Sequence, residues 1–587
     1  MQHSRIVPIA VVSALILLFV PTTVQSQVIV AQSLTSDSIE DSDPDVHKGA
    51  VVWSADVDGD LEIFLYQHGT VTQLTDNAID DFEPQIWDGQ VAWFGHDGND
   101  NEIFFYDGTT ITQLTDNSVN DWDVVIHDGE LAWCGFDGSD CEIYFYDGTI
   151  QQLSDNAVDD QVPDIFDGEV VWQQWDGSDF EICHWDAGTT TPLTNNSVFD
   201  SAPIINEGRV VWHSVVAGFN QVMVWDGTTT QLTTTSHNRD AHIDGTRVVW
   251  QSQQTSWDIF EDDGVATQLT SNGNLEQKPL LNGKSTLYLR DNTVMDVYLH
   301  NGTTAARISD GTTQSSQHAI GAGQYAWVSG SGTSAEVVLG TRYPSGSGIA
   351  VYRPDTGTFT LREVVEGAVV DNTFLFGPVG AGAVGLVGDW NDSGIDTVGV
   401  YDPNAGTFDL RNSNDAGTSD LTFRYGPSTA DGRIPIAGDW NGDGTTTIGL
   451  YLPSTGTFWL RMTNTGGFAS NVFRYGPKSS ACRPLVGDWN NDGIDTIGVF
   501  QSDLGGVFLR NNNTAGVADI AFNVKDLTET QILAGNWDGV DGDTIGNFDE
   551  SDNLFFLRDQ NQGGQPDYLF NMLTPDPNAQ AMSGVFQ

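Results

Sequence analysis

The sequence predicts an all-β protein made of two β-propellers in tandem, the first eight-bladed and the second five-bladed. Two repeated signals predict this fold class. An aromatic residue, usually Trp, recurs every 38 to 40 residues in the first part, and a Gly-Asp-Trp-Asn segment recurs every 48 to 50 residues in the second. Fixed periods of this length are typical of repeat folds, and several short strands per period are typical of propeller blades.

The composition limits the classes of function. The chain of 587 residues has 22 Lys and Arg against 81 Asp and Glu, which gives a formal net charge of −59. This balance argues against binding to nucleic acids or anionic membranes, which attract Lys and Arg. It suits divalent cations, basic partners or a very salty medium, and self-repulsion is expected to destabilise the fold at low ionic strength. The 18 Trp, 29 Phe and 14 Tyr argue against a disordered acidic chain.

Residues 1–26 have the features of a secretory signal peptide. They include one Arg (Arg5), an apolar run over 6–20 and a small-residue ending before a cleavage site at Gln27. An uncleaved anchor is the alternative, but the run is shorter than the roughly 20 residues that span a bilayer. The mature protein is expected to be secreted, extracellular or at the cell surface, with the periplasm also open, and not inserted in a membrane.

Residues 27–341 are expected to form the first propeller. Each unit has a short strand, an apolar strand with the aromatic marker, a polar Asp-Gly turn, a Glu-Ile-aromatic strand and a last strand ending in Gln-Leu-Thr. Alternating strands joined by Asp-Gly are a hairpin signal. The marker residues, which we interpret as packing between blades, are Trp53, Trp93, Trp133, Trp172, Trp212, Trp250, Tyr288 and Trp327.

The two ends of this region are expected to close the ring together. The unit around Trp327 has no Gln-Leu-Thr strand, and the mature N-terminus supplies such a strand over 28–35. A strand from one end of the region that completes the blade at the other end removes an exposed sheet edge. The count gives eight blades, and seven is the alternative because the unit over 287–307 is the most degenerate.

The repeated segments Asp-Gly-x-Asp-x-Glu-Ile-(Phe/Tyr), Tyr-Asp-Gly and Gln-Leu-Thr resemble the TolB-type propeller repeat over roughly 27–340. The resemblance implies the blade fold. It does not imply one function, since related blades occur in binding modules, in side domains of peptidases and in polysaccharide lyases.

A linker over 342–347 is predicted where Pro344 and Gly/Ser residues interrupt the pattern. The second propeller then covers 348–587. Its first unit begins at a second strand, over 348–352, and the missing first strand is found at the C-terminus, over 581–586. The C-terminal strand is therefore expected to close a ring of five blades.

The Gly-Asp-Trp-Asn segments, with Asp-Gly and Asp-Thr after them, resemble the FG-GAP/VCBS family of integrin-like repeats over about 348–587. The resemblance implies Ca²⁺ in loops with oxygen ligands at alternate positions, which is the donor set that this hard cation prefers. Thr397, Thr447 and Thr496 stand in place of the final acidic ligand, and an Asx-type turn without metal is the alternative. The candidate ligands are Asp488, Asn490, Asp492 and Asp495; Asp439, Asn441 and Asp443; Asp389, Asn391 and Asp396; and Asn536, Asp538, Asp541 and Asp543.

Other polar residues are interpreted as structural. The acidic turns of the first propeller are weaker candidates for Ca²⁺, and ordinary hairpin turns are the favoured interpretation: Asp56, Asp58 and Asp60; Asp97 and Asn99; Asp137 and Asp140; Asp176 and Asp179. An Arg residue occupies the equivalent position in all five blades of the second propeller: Arg362, Arg411, Arg461, Arg510 and Arg558. This repetition favours a structural role, in which each Arg pairs with a nearby acidic turn, over a five-fold binding site for glycans or carboxylates. Cys134 and Cys141 flank a turn and form either a disulfide or two free thiols, whereas Cys183 and Cys482 have no evident partner.

The sequence contains no nucleophile elbow, metalloprotease motif or phosphate loop. His184, His213, His237 and His242 fall in neighbouring units and are the candidates for one rim of the first ring. We expect a secreted, monomeric, non-catalytic scaffold that binds an extracellular glycan or protein and is stabilised by Ca²⁺. A polysaccharide lyase or glycosidase on the first propeller and a structural envelope component are the alternatives.

Overall fold

The computed structural model describes residues 28–36, 39–67, 69–302, 304–321, 323–343, 347–365, 368–380, 382–524, 530–539, 542–549, 554–562, 566–572 and 578–586. The predicted signal peptide, the middle of the predicted linker and Asp541 lie outside these residues. The chain divides into two compact units, Val30–Thr341 and Arg342–Gln587. Among the described residues, no helix is long and apolar enough to cross a membrane.

The described residues of the first unit form eight four-stranded sheets, which we number as blades in chain order. One 3₁₀ turn covers Gly332–Ser334. The strands are, in blades one to four, β2 (Asp41–His47), β3 (Ala50–Val57), β4 (Asp60–Gln67), β5 (Thr70–Gln73), β6 (Asp81–Trp87), β7 (Gln90–His96), β8 (Asn101–Tyr106), β9 (Ile111–Gln113), β10 (Asp121–His127), β11 (Glu130–Phe136), β12 (Cys141–Tyr146), β13 (Ile150–Gln152), β14 (Asp160–Phe166), β15 (Glu169–Trp175), β16 (Phe180–Asp186) and β17 (Thr189–Pro192). Blades five to eight contain β18 (Asp200–Asn206), β19 (Arg209–Val216), β20 (Phe219–Trp225), β21 (Thr229–Gln231), β22 (Asn238–Asp244), β23 (Arg247–Gln253), β24 (Trp257–Asp262), β25 (Ala266–Gln268), β26 (Leu275–Asn282), β27 (Ser285–Asp291), β28 (Met295–His300), β29 (Ala305–Arg307), β30 (Ser315–Gly321), β31 (Gln324–Ser329), β32 (Glu336–Tyr343) and, from the N-terminus, β1 (Val28–Ser33).

The N-terminal strand closes the first ring, as predicted. In the eighth sheet the order is β1-β32-β31-β30, so β1 is the outer strand of a blade whose other strands come from the end of the unit. The inner strands contact one another in succession from β2 to β30, and β30 contacts β2. The prediction of eight blades is confirmed. The alternative of seven is wrong because the degenerate unit still forms the complete sheet β26–β29.

The marker residues pack between blades, which also confirms their interpretation. Trp172 of blade four is fully buried in one cluster with Ile143 and Phe145 of blade three. The Trp172 Nε1–H donates a hydrogen bond to Asp160 at 2.8 Å, so the buried indole is satisfied at its polar end. The same Trp-to-Asp bond joins Trp53 to Asp41, Trp93 to Asp81 and Trp212 to Asp200.

The described residues of the second unit form five four-stranded sheets. The strands are β33 (Gly348–Arg353), β34 (Thr358–Val365), β35 (Ala368–Leu375), β36 (Val384–Gly388), β37 (Thr397–Asp402), β38 (Thr407–Leu410), β39 (Leu421–Arg424), β40 (Ile434–Gly438), β41 (Thr447–Leu452), β42 (Thr457–Leu460), β43 (Asn471–Arg474), β44 (Cys482–Gly487), β45 (Thr496–Gln501), β46 (Gly506–Leu509), β47 (Ile520–Asn523), β48 (Thr530–Gly535), β49 (Thr544–Asp549), β50 (Leu554–Leu557), β51 (Tyr568–Asn571) and β52 (Gln580–Gly584).

The C-terminal strand closes the second ring. β52 pairs antiparallel with β33 over five positions, from Gly348 with Gly584 to Tyr352 with Gln580. β52 also contacts β36 and β48, the inner strands of the two neighbouring blades. The all-β fold with propellers of eight and five blades is therefore the fold that the sequence predicted.

Candidate functional site

The Gly-Asp-Trp-Asn loops of the second unit are folded around their first carboxylate. Asp439 accepts hydrogen bonds from the backbone N–H groups of Gly442 and Gly444, both at 2.8 Å. Asp488 accepts hydrogen bonds from the backbone N–H groups of Asp492, at 3.0 Å, and Gly493, at 2.7 Å. Asp389 accepts from Ser393 at 2.9 Å and from Gly394 at 2.6 Å. Asn441 donates to Asp443 and Asn490 donates to Asp492, whereas Asn391 is exposed and Asp538 is half-buried.

The acidic residues at the ends of these loops join neighbouring blades. The Asp495 carboxylate accepts the Asp439 N–H at 2.7 Å, and the Asp495 N–H donates to the Asp439 carbonyl at 2.9 Å. Asp543 makes the same pair of bonds with Asp488. Asp396 bonds to Val585, and Asn536 bonds to Ser347. Burial, with like charges nearby, raises the pKa of Asp495 to about 7 and the pKa values of Asp396 and Asp543 to about 6.

The loop geometry resembles the Asx-type alternative, but Ca²⁺ in these loops stays a prediction. The described part of the chain does contain three groups of acidic ligand atoms that lie within 4.8 Å of one another, and all are in the first unit. They are Asp97, Asp100 and Glu102; Asp137, Asp140 and Glu142; and Asp176, Asp179 and Glu181. We call them the blade-two, blade-three and blade-four clusters.

Sequence reasoning placed Asp97, Asp137, Asp140, Asp176 and Asp179 in ordinary turns and missed Asp100 and the three Glu residues. The Glu side chain lies across the hairpin from the turn, where its Oε1 accepts a backbone N–H from the segment leading to the next blade. For Glu142 this donor is Asn156, at 2.8 Å. The signal that was present is the repetition of Asp-Gly-x-Asp-x-Glu in three consecutive blades.

The nine described histidines all make structural contacts. In seven of them a ring nitrogen accepts a backbone N–H, as in His47 with Asp88 at 2.7 Å. His184 pairs with Glu169, and His318 bonds to the Lys278 carbonyl. Burial lowers the pKa of His47 to about 3 and the pKa values of His213, His242 and His318 to about 4. The other histidines that accept a backbone N–H are His96, His127, His213, His237, His242 and His300.

The inner strands of the first unit share a strained position. Each strand has a bulge in which a residue other than Gly has a positive φ, a conformation that costs about 1–3 kcal/mol. Burial and the charges of Asp43 and Asp123 raise the pKa of Glu83, so three acidic members of this ring are neighbours. The eight residues are Asp43, Glu83, Asp123, Val162, Ala202, Asp240, Lys278 and Gln317.

Three of the five recurring arginines in the second unit hold exposed loops. The Arg461 guanidinium donates to the backbone carbonyls of Thr465, Gly466 and Phe468. Arg510 holds the Thr514, Ala515 and Val517 carbonyls, and Arg411 holds those of Asp415, Ala416 and Thr418. Arg362 instead forms a bidentate ion pair with Asp371, and Arg558 donates to Asn547.

Two of the three loops held by arginine present an apolar side chain to solvent, and the third has Thr418 at the same position. Phe468 is 94% exposed and Val517 is 81% exposed, in neighbouring blades. Each carbonyl is fixed by a guanidinium that is itself mostly buried, as in Arg510 with 14% of its side chain exposed. The arrangement fixes the backbone of the loop while the side chain at its tip remains accessible.

Cys134 and Cys141 form a disulfide across the β11–β12 turn of blade three, with Cα atoms 6.0 Å apart. Of the two cysteine states left open by the sequence, the structure contains the bonded one. Cys183 and Cys482 are buried free thiols.

No protein-family model and no curated protein sequence matches the chain. Among solved structures, the β-propeller domain of the Trilobed protease from Pyrococcus furiosus is similar over 47% of this chain and 97% of that one, with 12% identity and a TM-score of 0.35. Acylaminoacyl peptidase from Pyrococcus horikoshii is similar over 50% of this chain and 59% of its own, with 13% identity and a TM-score of 0.34. TolB from Acinetobacter baumannii is similar over 52% and 79%, with 14% identity and a TM-score of 0.27. The likeness is low, and the protein's place in the class of tandem β-propellers rests on its own sheets.

Proposed function

We propose that the protein is a secreted or cell-surface, non-catalytic binding and scaffold protein whose propeller loops contact an extracellular glycan or protein. The observation that carries this proposal is the set of loops held by Arg461 and Arg510, with Phe468 and Val517 exposed at their tips. A loop fixed before binding loses little conformational entropy on binding, which favours affinity. An aromatic and an aliphatic tip in two neighbouring blades suit a two-point contact with sugar faces or protein pockets.

The contacts of the described histidines and the low pKa values of four of them support the non-catalytic part of the proposal. A general base needs a ring nitrogen that is open to substrate and a pKa near the working pH. Each described histidine has a ring nitrogen bonded within the fold, and four have a pKa of about 3 or 4. A polysaccharide lyase or glycosidase that uses histidine is therefore the weaker candidate.

The disulfide in blade three supports export, since disulfides persist in oxidising compartments. We assign the protein to the extracellular space or cell surface, with the periplasm as the alternative, as a monomer. We also propose that the first propeller is built from TolB-type repeats and the second from FG-GAP/VCBS repeats. The Gly-Asp-Trp-Asn loops of the second propeller are proposed to bind Ca²⁺.

Binding is tested on a printed glycan array and on a panel of purified cell-surface proteins. We expect Phe468→Ser to weaken binding by about tenfold or more, because an exposed aromatic anchor carries a large share of interface energy. Val265→Ser is the matched control, since Val265 is also exposed but lies on a turn of the first unit. Equal loss in both variants, or none in either, contradicts the proposal. A blank array and panel favour a structural envelope component, and release of sugar products favours an enzyme.

Calcium in the second unit is tested by calorimetry with and without a chelator. We expect chelation to lower the melting temperature of this unit. Asp492→Asn should reduce that sensitivity, because the amide oxygen still accepts the Ile494 N–H, at 3.0 Å in the wild type, but carries no charge. Asp503→Asn, at an exposed position outside the loop, is the control. If the unfolding transition of the second unit does not respond to the chelator, the proposal that these loops bind calcium is wrong.

A further inference from the structure

We infer that blades two, three and four of the first unit each bind one divalent cation, Ca²⁺, in the loop between their second and third strands. The sites are the blade-two, blade-three and blade-four clusters. The inference goes beyond the proposed function, since it depends neither on the display loops nor on calcium in the second unit.

The three loops share one geometry. In blade three, the Asp137 carboxylate accepts the Ser139 N–H at 2.7 Å, and the Asp137 N–H donates to the Asp140 carbonyl at 3.1 Å. This folds the turn so that one carboxylate oxygen from each of Asp137, Asp140 and Glu142 lies within 4.8 Å of the other two. The Asp97 and Asp176 turns make the same two bonds. Three carboxylates therefore converge on one point in three consecutive blades.

The buried members of each cluster have carboxylate oxygens without a hydrogen-bond partner among the described residues. Asp140 is 8% exposed and has no partner on either oxygen, and Glu142 is fully buried with none on Oε2. A buried carboxylate is costly unless it is paired, hydrogen-bonded or bound to a metal. The corresponding unpartnered atoms are Oδ2 of Asp100 and Oε2 of Glu102 in blade two, and Oδ1 of Asp179 and Oε2 of Glu181 in blade four.

The donors select a hard cation. Every ligand atom in the clusters is a carboxylate oxygen, which suits Ca²⁺ rather than Zn²⁺, for which Cys and His are the usual ligands. Cys141, which lies between Asp140 and Glu142, is held in the disulfide. The first Asp of each cluster is exposed while the other two residues are buried. One side of the site thus faces solvent, where water supplies the remaining ligands that Ca²⁺ accepts.

Blade one provides an internal comparison. Its loop has the same length, but the Asp-Gly turn is shifted by one residue, so Val57 occupies the position of Asp97. Asp60, which corresponds to Asp100, is half-buried, and blade one contributes no such cluster among the described residues. Blade one still forms a complete four-stranded sheet. The blade fold therefore does not require the three converging acids. Glu62 of blade one also has a buried Oε2 without a partner, so it is the unpartnered oxygens of Asp100, Asp140 and Asp179 that point to a ligand in the other three blades.

Equilibrium dialysis of the chelator-stripped full chain against radioactive calcium tests the inference. The variant D100N/D140N/D179N keeps the shape of each side chain and removes one ligand charge from each cluster. We expect it to bind three equivalents fewer than the wild type, one for each cluster. Asp60→Asn in blade one should bind as much as the wild type. Equal stoichiometry in the wild type and the triple variant overturns the inference.

Terbium luminescence gives a second measurement that does not depend on the triple variant being folded. Trp175 precedes Asp176 of the blade-four cluster and is placed to sensitise a lanthanide bound there. We expect excitation of Trp to produce terbium emission in the wild type, competed by Ca²⁺ and reduced in both Trp175→Phe and Asp179→Asn. Emission that neither substitution changes overturns the blade-four site. Array binding by Phe468→Ser reports on the proposed function alone, so failure of one test does not imply failure of the other.

Discussion

Removal of residues 580–587 is expected to abolish the cooperative unfolding transition of the second propeller. These residues include β52, the inner strand of its first blade, which pairs with β33 and contacts β36 and β48. Phe586 is 6% exposed and packs in a cluster with Tyr352, Phe359 and Phe376. The deletion removes a strand, a core aromatic residue and the closure of the ring together.

The expected loss of folding free energy is comparable with the stability of an ordinary domain. Deleting a buried Phe side chain alone costs about 3–5 kcal/mol, while domains are stable by about 5–15 kcal/mol. The backbone bonds of β52 and the Val585–Asp396 contacts are lost in addition. The truncation also leaves the edge of β33 unpaired, which exposes a template for aggregation.

Scanning calorimetry of the full chain and the truncated chain measures this effect. We expect the transition of the first propeller to persist and that of the second to disappear. Deleting Gln587 alone is the control and should leave both transitions in place. A truncated chain with two unchanged transitions would show that the C-terminal strand does not close the ring.

This closure was predictable because it follows from counting strands. The first propeller begins with the last strand of its eighth blade and ends one strand short, whereas the second begins at the second strand of its first blade and ends with the missing first strand. Only pairing of the two ends completes each ring. The Trp markers were predictable for a similar reason, since a large apolar residue at a fixed period is nearly always buried between repeated layers. Trp172 confirms this by packing against blade three.

The acidic clusters were not predictable from the same pattern. The sequence places Asp137 and Asp140 in a turn but does not show that the turn buries Asp140 or that Glu142 reaches it across the hairpin. The hydrogen-bond partners of the recurring arginines were not predictable either. Their period was visible, but the partners of Arg461 are backbone carbonyls, whose positions depend on the loop conformation and leave no signal in the sequence.

Two carboxyl groups with raised pKa values are expected to make the first propeller less stable at pH 8 than at pH 5, whereas four buried histidines with lowered pKa values act in the opposite direction. Burial raises the pKa of Asp164 to about 7, against hydrogen bonds from the Ile205 and Ile165 N–H groups that lower it. Burial also raises the pKa of Glu62 to about 7, with the charges of Asp81 and Asp60 adding to the effect. A carboxyl group with a raised pKa binds its proton more tightly in the folded state than in the unfolded state. Its stabilising effect is complete below the unfolded pKa near 4 and is lost as the pH rises through 7.

The size of the effect follows from these two groups. A tenfold change in an ionisation constant is about 1.4 kcal/mol. Asp164 is partly exposed to solvent, which reduces its contribution. Asp164 and the buried Glu62 together should destabilise the folded state at pH 8, relative to pH 5, by at most about 5 kcal/mol. His47, His213, His242 and His318 oppose this, because their lowered pKa values destabilise the folded state as the pH falls below 6.5. The carboxyl contribution is therefore measured as a difference between the wild type and a variant.

Asp164→Asn separates this cause from the general repulsion of an acidic surface. The amide oxygen still accepts the Ile205 N–H, which lies 2.7 Å from the Asp164 carboxylate, but the side chain no longer ionises. Because the histidines are the same in both proteins, the melting temperature of the variant minus that of the wild type should rise as the pH increases from 5 to 8 at constant ionic strength. Asp107→Asn is the control, because hydrogen bonds from Thr109 and Thr110 lower the pKa of that exposed group and move its titration below this window. If the Asp164→Asn curve runs parallel to that of the wild type, the Asp164 carboxyl group does not contribute to the pH dependence, because both proteins have the same histidines and nearly the same net charge.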